Sequence, residues 1–212
     1  MLSAGQKAHF DTFGFLVLRE LFSPEEMKQI SAEADDILSE ARQGQPFVGE
    51  SRQIVMSFVE RRPFLRTMAD DDRIYLPIED LLGPEFMWVG GDGNLYVGDT
   101  QWHSDSSPDP KEYSYTRIKV ALYLDPVSKD TGCLRVVPGS HLPPLHEELE
   151  PLRHVRRAQR DYGGKTVSKE QQEEMGQGSD FDGSPFDLSG PELPAFPLES
   201  QPGDVVLFQQ RL

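Results

Sequence analysis

The sequence predicts a mainly β domain of the α+β class, with a jelly-roll core of the double-stranded β-helix kind and helices flanking it on the N-terminal side. Three observations carry this expectation. Apolar residues fall into many short, strand-length runs separated by turns rich in Gly, Pro, Asn and Asp. Helical periodicity is concentrated before Gly83, so helices and strands are segregated rather than alternating. No internal repeat is present, and 212 residues suit one domain, 1–212, with a sizeable core. An antiparallel layer that must hide its edges closes readily as a jelly roll.

The elements follow in order. Residues 3–12 form a short helix, with Gly14 joining it to a strand over 15–18. Ser23-Pro24-Glu25-Glu26 opens a second helix by a capping box, with Pro at its first position. That helix carries Met27, Ile30, Ala34, Ile37, Leu38 and Ala41 on one stripe, and Gly44-Gln45-Pro46 ends it. A strand is expected over 51–59 and a helical region over 63–82, stopped by Gly83-Pro84. Residues 86–89 and 94–97 read as a hairpin around Gly90-Gly91-Asp92-Gly93, and the second strand leads on to His103. Residues 115–125 alternate, with Ile118, Val120, Leu122 and Leu124 on one face and Tyr115, Arg117, Lys119 and Tyr123 on the other. Thr131-Gly132 turns the chain into a strand over 133–137. A charged helical pattern covers 146–162, and 163–201 shows no period beyond a short helix at 168–175. The whole of 146–201 reads as a lid or insertion, with Phe181, Phe186 and Phe196 able to dock it; a disordered insertion is the other reading. The last strand covers 203–208.

Composition excludes several classes. A formal net charge of -15 argues against a nucleic-acid partner, which needs a basic face. No apolar run reaches the ~18 residues of a membrane span, and Met1 to Lys7 lacks a basic region followed by an apolar one, so the expectation is a cytoplasmic protein. The single cysteine, Cys133, lies in an apolar strand and reads as a small core residue. Oligomeric state is not legible.

The chemistry centres on Gln101-Trp102-His103-Ser104-Asp105. On an extended strand side chains two apart share a face, so His103 and Asp105 can bring an imidazole nitrogen and a carboxylate oxygen to one point. A His, a carboxylate and a second His on one face of an octahedral ion leave open positions opposite, the arrangement of non-haem Fe(II) oxygenases. His-x-Asp alone is nonspecific, and a surface loop with a solvated Asp fits the same three residues. Two later stretches narrow the choice: Thr131-Gly132-Cys133-Leu134-Arg135-Val136-Val137-Pro138-Gly139-Ser140-His141 and Pro202-Gly203-Asp204-Val205-Val206-Leu207-Phe208. In order and rough spacing, and together with Phe13-Gly14-Phe15-Leu16-Val17-Leu18 and Leu21-Phe22-Ser23-Pro24-Glu25-Glu26, these resemble the phytanoyl-CoA dioxygenase family over nearly the whole chain.

That resemblance implies Fe(II) held by His103 and Asp105, 2-oxoglutarate and O2 as co-substrates, and hydroxylation of a small organic substrate with release of succinate and CO2. A carboxylate at Asp105 points to hydroxylation, since related halogenases carry a small residue there. Arg52, Asn94, Tyr96 and Lys119 sit on strands expected to line the barrel and are candidates to contact 2-oxoglutarate; each also reads as a solvent-facing residue. Trp102 either walls the pocket or packs in the core. In the family a second metal His follows the Gly-Asp strand by a few residues, and an Arg on the next strand pairs with the distal carboxylate of 2-oxoglutarate. Here the corresponding stretch is Phe208-Gln209-Gln210-Arg211-Leu212, and Arg211 comes too early to be that Arg. The expectation is therefore a C-terminally truncated member whose third ligand lies beyond Leu212, with its last strands missing and weak or no activity as given.

Other readings stay open at this stage. His141 reads as structural, with metal ligation as an alternative that would make a Zn or Fe site. His146 and His154 read as solvent-facing, and His9 as a surface or cap residue. A cupin-like binding module or pseudoenzyme would use the same barrel without oxidation. The substrate is not encoded legibly, because loops 106–114 and 163–201 carry no readable pattern; Arg153, Arg156, Arg157 and Arg160 could favour a polyanion against the acidic average.

Overall fold

The structure, a computed structural model, describes residues 1–98, 100, 102–105, 115–149 and 195–212. Helix α1, Ala4–Phe13, begins at a reciprocal cap in which Ser3 Oγ accepts from the Gln6 N–H and Gln6 Oε1 accepts from the Ser3 N–H. It runs into strand β1, Phe15–Leu18. Helix α2, Pro24–Ala41, has the same device at Ser23 and Glu26, and Arg73 then reaches Glu26 Oε1 and Asp71 Oδ2, both at 2.7 Å. The predicted helical region over 63–82 is two helices, α3 (Pro63–Thr67) and α4 (Asp72–Leu82), because Asp71 caps a new start by accepting from the Arg73 N–H. The strand expected over 51–59 is shorter, β2 being Gln53–Met56.

The expected hairpin over 86–97 does not form. Strand β3, Asp92–Leu95, pairs antiparallel with β2, from Gln53 opposite Leu95 to Met56 opposite Asp92, and Met87 and Val89 lie exposed outside any strand. At Gly93 a Cβ would collide with the Phe58 ring, so β3 passes where only glycine fits.

The remaining strands are β4 (Ile118–Leu122), β5 (Leu134–Val136), β6 (Phe196–Leu198) and β7 (Val205–Gln209), with helix α5, Leu145–Leu149, between β5 and β6. Among the described residues three antiparallel sheets result, ordered β1-β7-β4, β2-β3 and β5-β6. Strand β7 is central, and Val205, Val206 and Leu207 are all 0% exposed. Alternation divides its sheet. Leu16, Ile118, Val120, Leu122, Val205 and Leu207 join α2 in the main core, whereas Phe15, Val17, Ala121, Tyr123, Val206 and Phe208 join Val136 and Leu198 in a second. Each fully buried Leu or Val contributes about 1.5–3 kcal/mol, so substitution within β7 is costly.

The lid expectation over 146–201 meets the described residues only at its ends. Phe196 belongs to β6 and stacks on Phe15 at 5.9 Å, and Ser200 bridges to Val127. The short helix at 168–175, Phe181, Phe186, the loop 106–114, His154 and Arg153, Arg156, Arg157 and Arg160 lie outside the described residues. Among the described residues no helix is long and apolar enough to cross a membrane.

The Gly203-Asp204 pair is architectural. Gly203 has φ +99°, and a Cβ there would run into the Phe22 carbonyl; its own carbonyl accepts from the Leu21 and Phe22 N–H groups. Asp204 is 3% exposed and accepts from the Glu20 N–H (2.9 Å), the Gln201 N–H (3.0 Å) and Arg19 Nη1 (2.6 Å). Together they fasten the turn between β1 and α2 to the entry of β7.

Candidate metal centre

His103 and Asp105 come together, His103 Nε2 lying 3.4 Å from Asp105 Oδ1. They sit on a loop rather than a regular strand. The loop is held by the residue that follows β7: the Asp105 N–H donates to the Gln210 carbonyl (3.0 Å), Gln210 Nε2 donates to the Asp105 carbonyl (2.8 Å), and Ser104 Oγ donates to the Gln210 carbonyl (3.3 Å). The Gln210 N–H in turn donates to the Arg117 carbonyl at 3.0 Å, beside β4. Sequence reasoning missed Gln210, because an amide at a strand end carries no signal without its partner about a hundred residues away.

Lys119 projects from β4 opposite Phe208 and places Nζ 2.8 Å from Asp105 Oδ2. Burial pushes the Asp105 carboxyl up, but hydrogen bonds from His103 and Lys119 outweigh it and hold the carboxyl at about 2. Asp105 is therefore a carboxylate throughout the neutral range. Lys119 shares the inner face of the β1-β7-β4 sheet with Ala121 and Tyr123, where burial raises the Tyr123 hydroxyl to about 12, with the nearby Tyr96 adding to the shift.

The other candidates gather on the β2-β3 sheet. Arg52 donates from Nε (2.9 Å) and Nη2 (2.6 Å) to Asn94 Oδ1 and from Nη2 to Tyr96 Oη (3.3 Å), its guanidinium lying 4.4 Å from the centroid of the Tyr96 ring. Asn94 Nδ2 bonds Asp92. Burial raises the Tyr96 hydroxyl, Arg52 lowers it, and the Asp92 and Asp105 carboxylates raise it again, so this group lies within electrostatic range of the His103–Asp105 pair. Trp102 is half-buried.

The remaining histidines go elsewhere. His141 is 2% exposed, its Nε2 lying 3.2 Å from the Asp11 carbonyl, and it packs against Gly14 at the end of α1. His146, read as solvent-facing, is instead buried at 7% exposure with Nδ1 3.0 Å from the Ser140 carbonyl, because α5 turns that side inward. His9 is half-buried in aromatic contact with Phe13 and Phe15. Among the described residues no three His, Cys, Asp or Glu side chains gather as a metal cluster, so His141 does not complete the pair.

An imidazole nitrogen and a carboxylate oxygen converging at this distance suit two cis positions of an octahedral ion, and N and O donors of this hardness suit iron. The residues present thus fit two of the three protein ligands of a facial set.

The model of one family, described as phytanoyl-CoA dioxygenase (PhyH), matches residues 10–212. No curated protein sequence matches the chain. Among solved structures, HygX from Streptomyces hygroscopicus, with nickel and 2-oxoglutarate bound, is similar at TM-score 0.62 and 20% identity, covering 100% of this chain and 79% of that one. EctD from S. alaskensis in its apoform gives 0.61 and 20%, covering 98% and 68%. SnoK, an α-ketoglutarate dependent carbocyclase from nogalamycin biosynthesis, gives 0.63 and 21%, covering 99% and 76%. These likenesses establish the fold.

Proposed function

The chain belongs to the phytanoyl-CoA dioxygenase family, whose members are Fe(II)- and 2-oxoglutarate-dependent oxygenases, and on that premise we propose that it hydroxylates a small organic substrate with release of succinate and CO2. The observation that carries this reading is the convergence of His103 Nε2 and Asp105 Oδ1 at 3.4 Å. On this reading the antiparallel sheets belong to a double-stranded β-helix, and His103 and Asp105 hold Fe(II). When bound, Fe(II) supplies the activation of O2 that couples 2-oxoglutarate decarboxylation to substrate oxidation.

The chain's own residues have separate tasks. Gln210 fixes the backbone of Asp105 so that the carboxylate meets the imidazole without a search among conformers. Lys119 supplies positive charge against Asp105, and Arg52 supplies it beside Asn94 and Tyr96, where a dianionic co-substrate needs it inside an otherwise acidic protein. Ala121, Tyr123, Val206 and Phe208 form apolar area on the face of the sheet that carries Lys119. Succinate formation coupled to O2 uptake in the full chain, lost in His103→Ala, is the test; Fe(II)-dependent turnover that survives His103→Ala would remove the reading.

A second reading is a cupin-like module that binds its ligand without oxidising it. One observation favours it: Lys119 already neutralises Asp105. It predicts that the Fe(II)/2-oxoglutarate charge-transfer absorption does not bleach when O2 is admitted.

A further inference from the structure

The ion pair between Lys119 and Asp105 divides the carboxylate. Asp105 Oδ1 faces His103 Nε2 at 3.4 Å, while Oδ2 accepts from Lys119 Nζ at 2.8 Å. A carboxylate can give a cation one oxygen or both. Here its backbone is fixed by Gln210 on one side and its second oxygen is taken by an ammonium on the other. An ammonium has only protons to donate and cannot itself ligate a cation, so it holds Oδ2 away from metal without competing for the position. Lys119 lies opposite Phe208 in the register of β4 and β7, on the face that carries Ala121 and Tyr123, and its side chain keeps 45% exposure, so the ammonium reaches Asp105 while still in contact with solvent.

Resting on the oxygenase reading, we propose that Lys119 is a positioning residue that makes Asp105 a single-oxygen metal donor and keeps the neighbouring coordination position for 2-oxoglutarate. Two consequences have opposite signs. A cation beside the centre repels a divalent metal, and with Oδ2 engaged the carboxylate gives only part of its donor capacity; both lower metal affinity. The same cation, and the position left open, favour a dianion that needs two adjacent positions. A residue with a merely structural role would move both affinities the same way.

The test is anaerobic titration of the full chain with Co(II), followed by its d–d absorption, and then titration of the Co(II) protein with 2-oxoglutarate. Lys119→Met is expected to bind Co(II) more tightly by about threefold or more, to shift the d–d bands as Asp105 turns to give both oxygens, and to bind 2-oxoglutarate about tenfold more weakly (~1.4 kcal/mol). Lys119→Arg, which keeps the charge and the hydrogen bond, is expected to restore both affinities to within about threefold of the parent. Near-ultraviolet circular dichroism checks folding, and Lys119→Gln is read in the same way where the Met variant does not fold. Loss of Co(II) and 2-oxoglutarate affinity together, or no change in either with an unchanged d–d spectrum, overturns the proposal. A parent chain that takes up no Co(II), or whose uptake survives His103→Ala, overturns the oxygenase reading itself and this proposal with it.

Discussion

Replacing Asp204 by Ala removes the carboxylate that ties the start of β7 to the turn after β1, and its cost can be worked out from the contacts. Two backbone donors, the N–H groups of Glu20 and Gln201, lose their acceptor beside a side chain that is 3% exposed. An unsatisfied buried donor costs about 1–3 kcal/mol. Water reaching the Glu20 turn keeps the sum toward the lower end, near 3 kcal/mol for the pair. The third partner adds little, because the Arg19 side chain is 55% exposed and solvent screens its ion pair to about 0–1 kcal/mol. For a chain of this size about 3 kcal/mol lowers Tm by roughly 6–12 °C. Urea denaturation followed by circular dichroism measures it, with Arg19→Ala as the control. The pH dependence has a definite sign. Burial raises the Asp204 carboxyl, but the Gln201 and Glu20 N–H groups and Arg19 bring it below the ordinary value. Its contribution is therefore full above the unfolded value of about 3.9 and is lost as pH falls through the folded value, so parent and variant should converge in acid. A cost under ~0.5 kcal/mol at pH 7, or an Arg19→Ala cost equal to that of Asp204→Ala, would refute the backbone-donor argument.

Three other outcomes are expected. His103→Ala should weaken Co(II) binding by about a hundredfold or more while urea denaturation stays within ~1 kcal/mol of the parent, because His103 is exposed; equal losses of stability and metal would mean the residue is structural. Gln210→Ala should cost ~0.5–1.5 kcal/mol in stability and several-fold in Co(II) affinity, since only its side-chain bond to the Asp105 carbonyl is lost and its backbone bonds remain; unchanged metal affinity would show that the loop holds itself. His141 is kept neutral by burial, which lowers its titration below the ordinary value. Stability should be level above about pH 6.5 and fall as acid protonates the unfolded chain first, and that slope should flatten in His141→Gln. An identical slope in the variant, measured by urea denaturation across pH 5–8, would assign the acid sensitivity elsewhere.

Features written within a few residues of one another were legible. The capping box at Ser23 uses a partner three residues away, and the alternation of Ile118, Val120 and Leu122 assigns one face of β4 to the main core. The His103-x-Asp105 pair is local in the same sense. Legibility failed where partners are distant. The expected hairpin over 86–97 gave way to pairing of β3 with β2, a strand about forty residues earlier in the chain. His146 sits in a charged stretch, and only the packing of α5 shows that its ring points inward to the Ser140 carbonyl. Gln210 had no reading at all, although it holds the loop that carries both candidate ligands.

By itself the sequence determined the family, the start of α2 and the faces of the amphipathic strand, and it brought forward the two residues proposed for the metal, since each depends on residue type and short spacing. Tertiary structure alone decided that Gly203 and Asp204 join the chain's two ends, that Gln210 clamps Asp105, and that Lys119 takes the second oxygen of that carboxylate. The reason is physical. Period and capping are set by backbone geometry over one turn or one pleat, whereas sheet order and ion pairing are settled by which distant surfaces can be buried together without leaving a charge or a backbone donor unpaired.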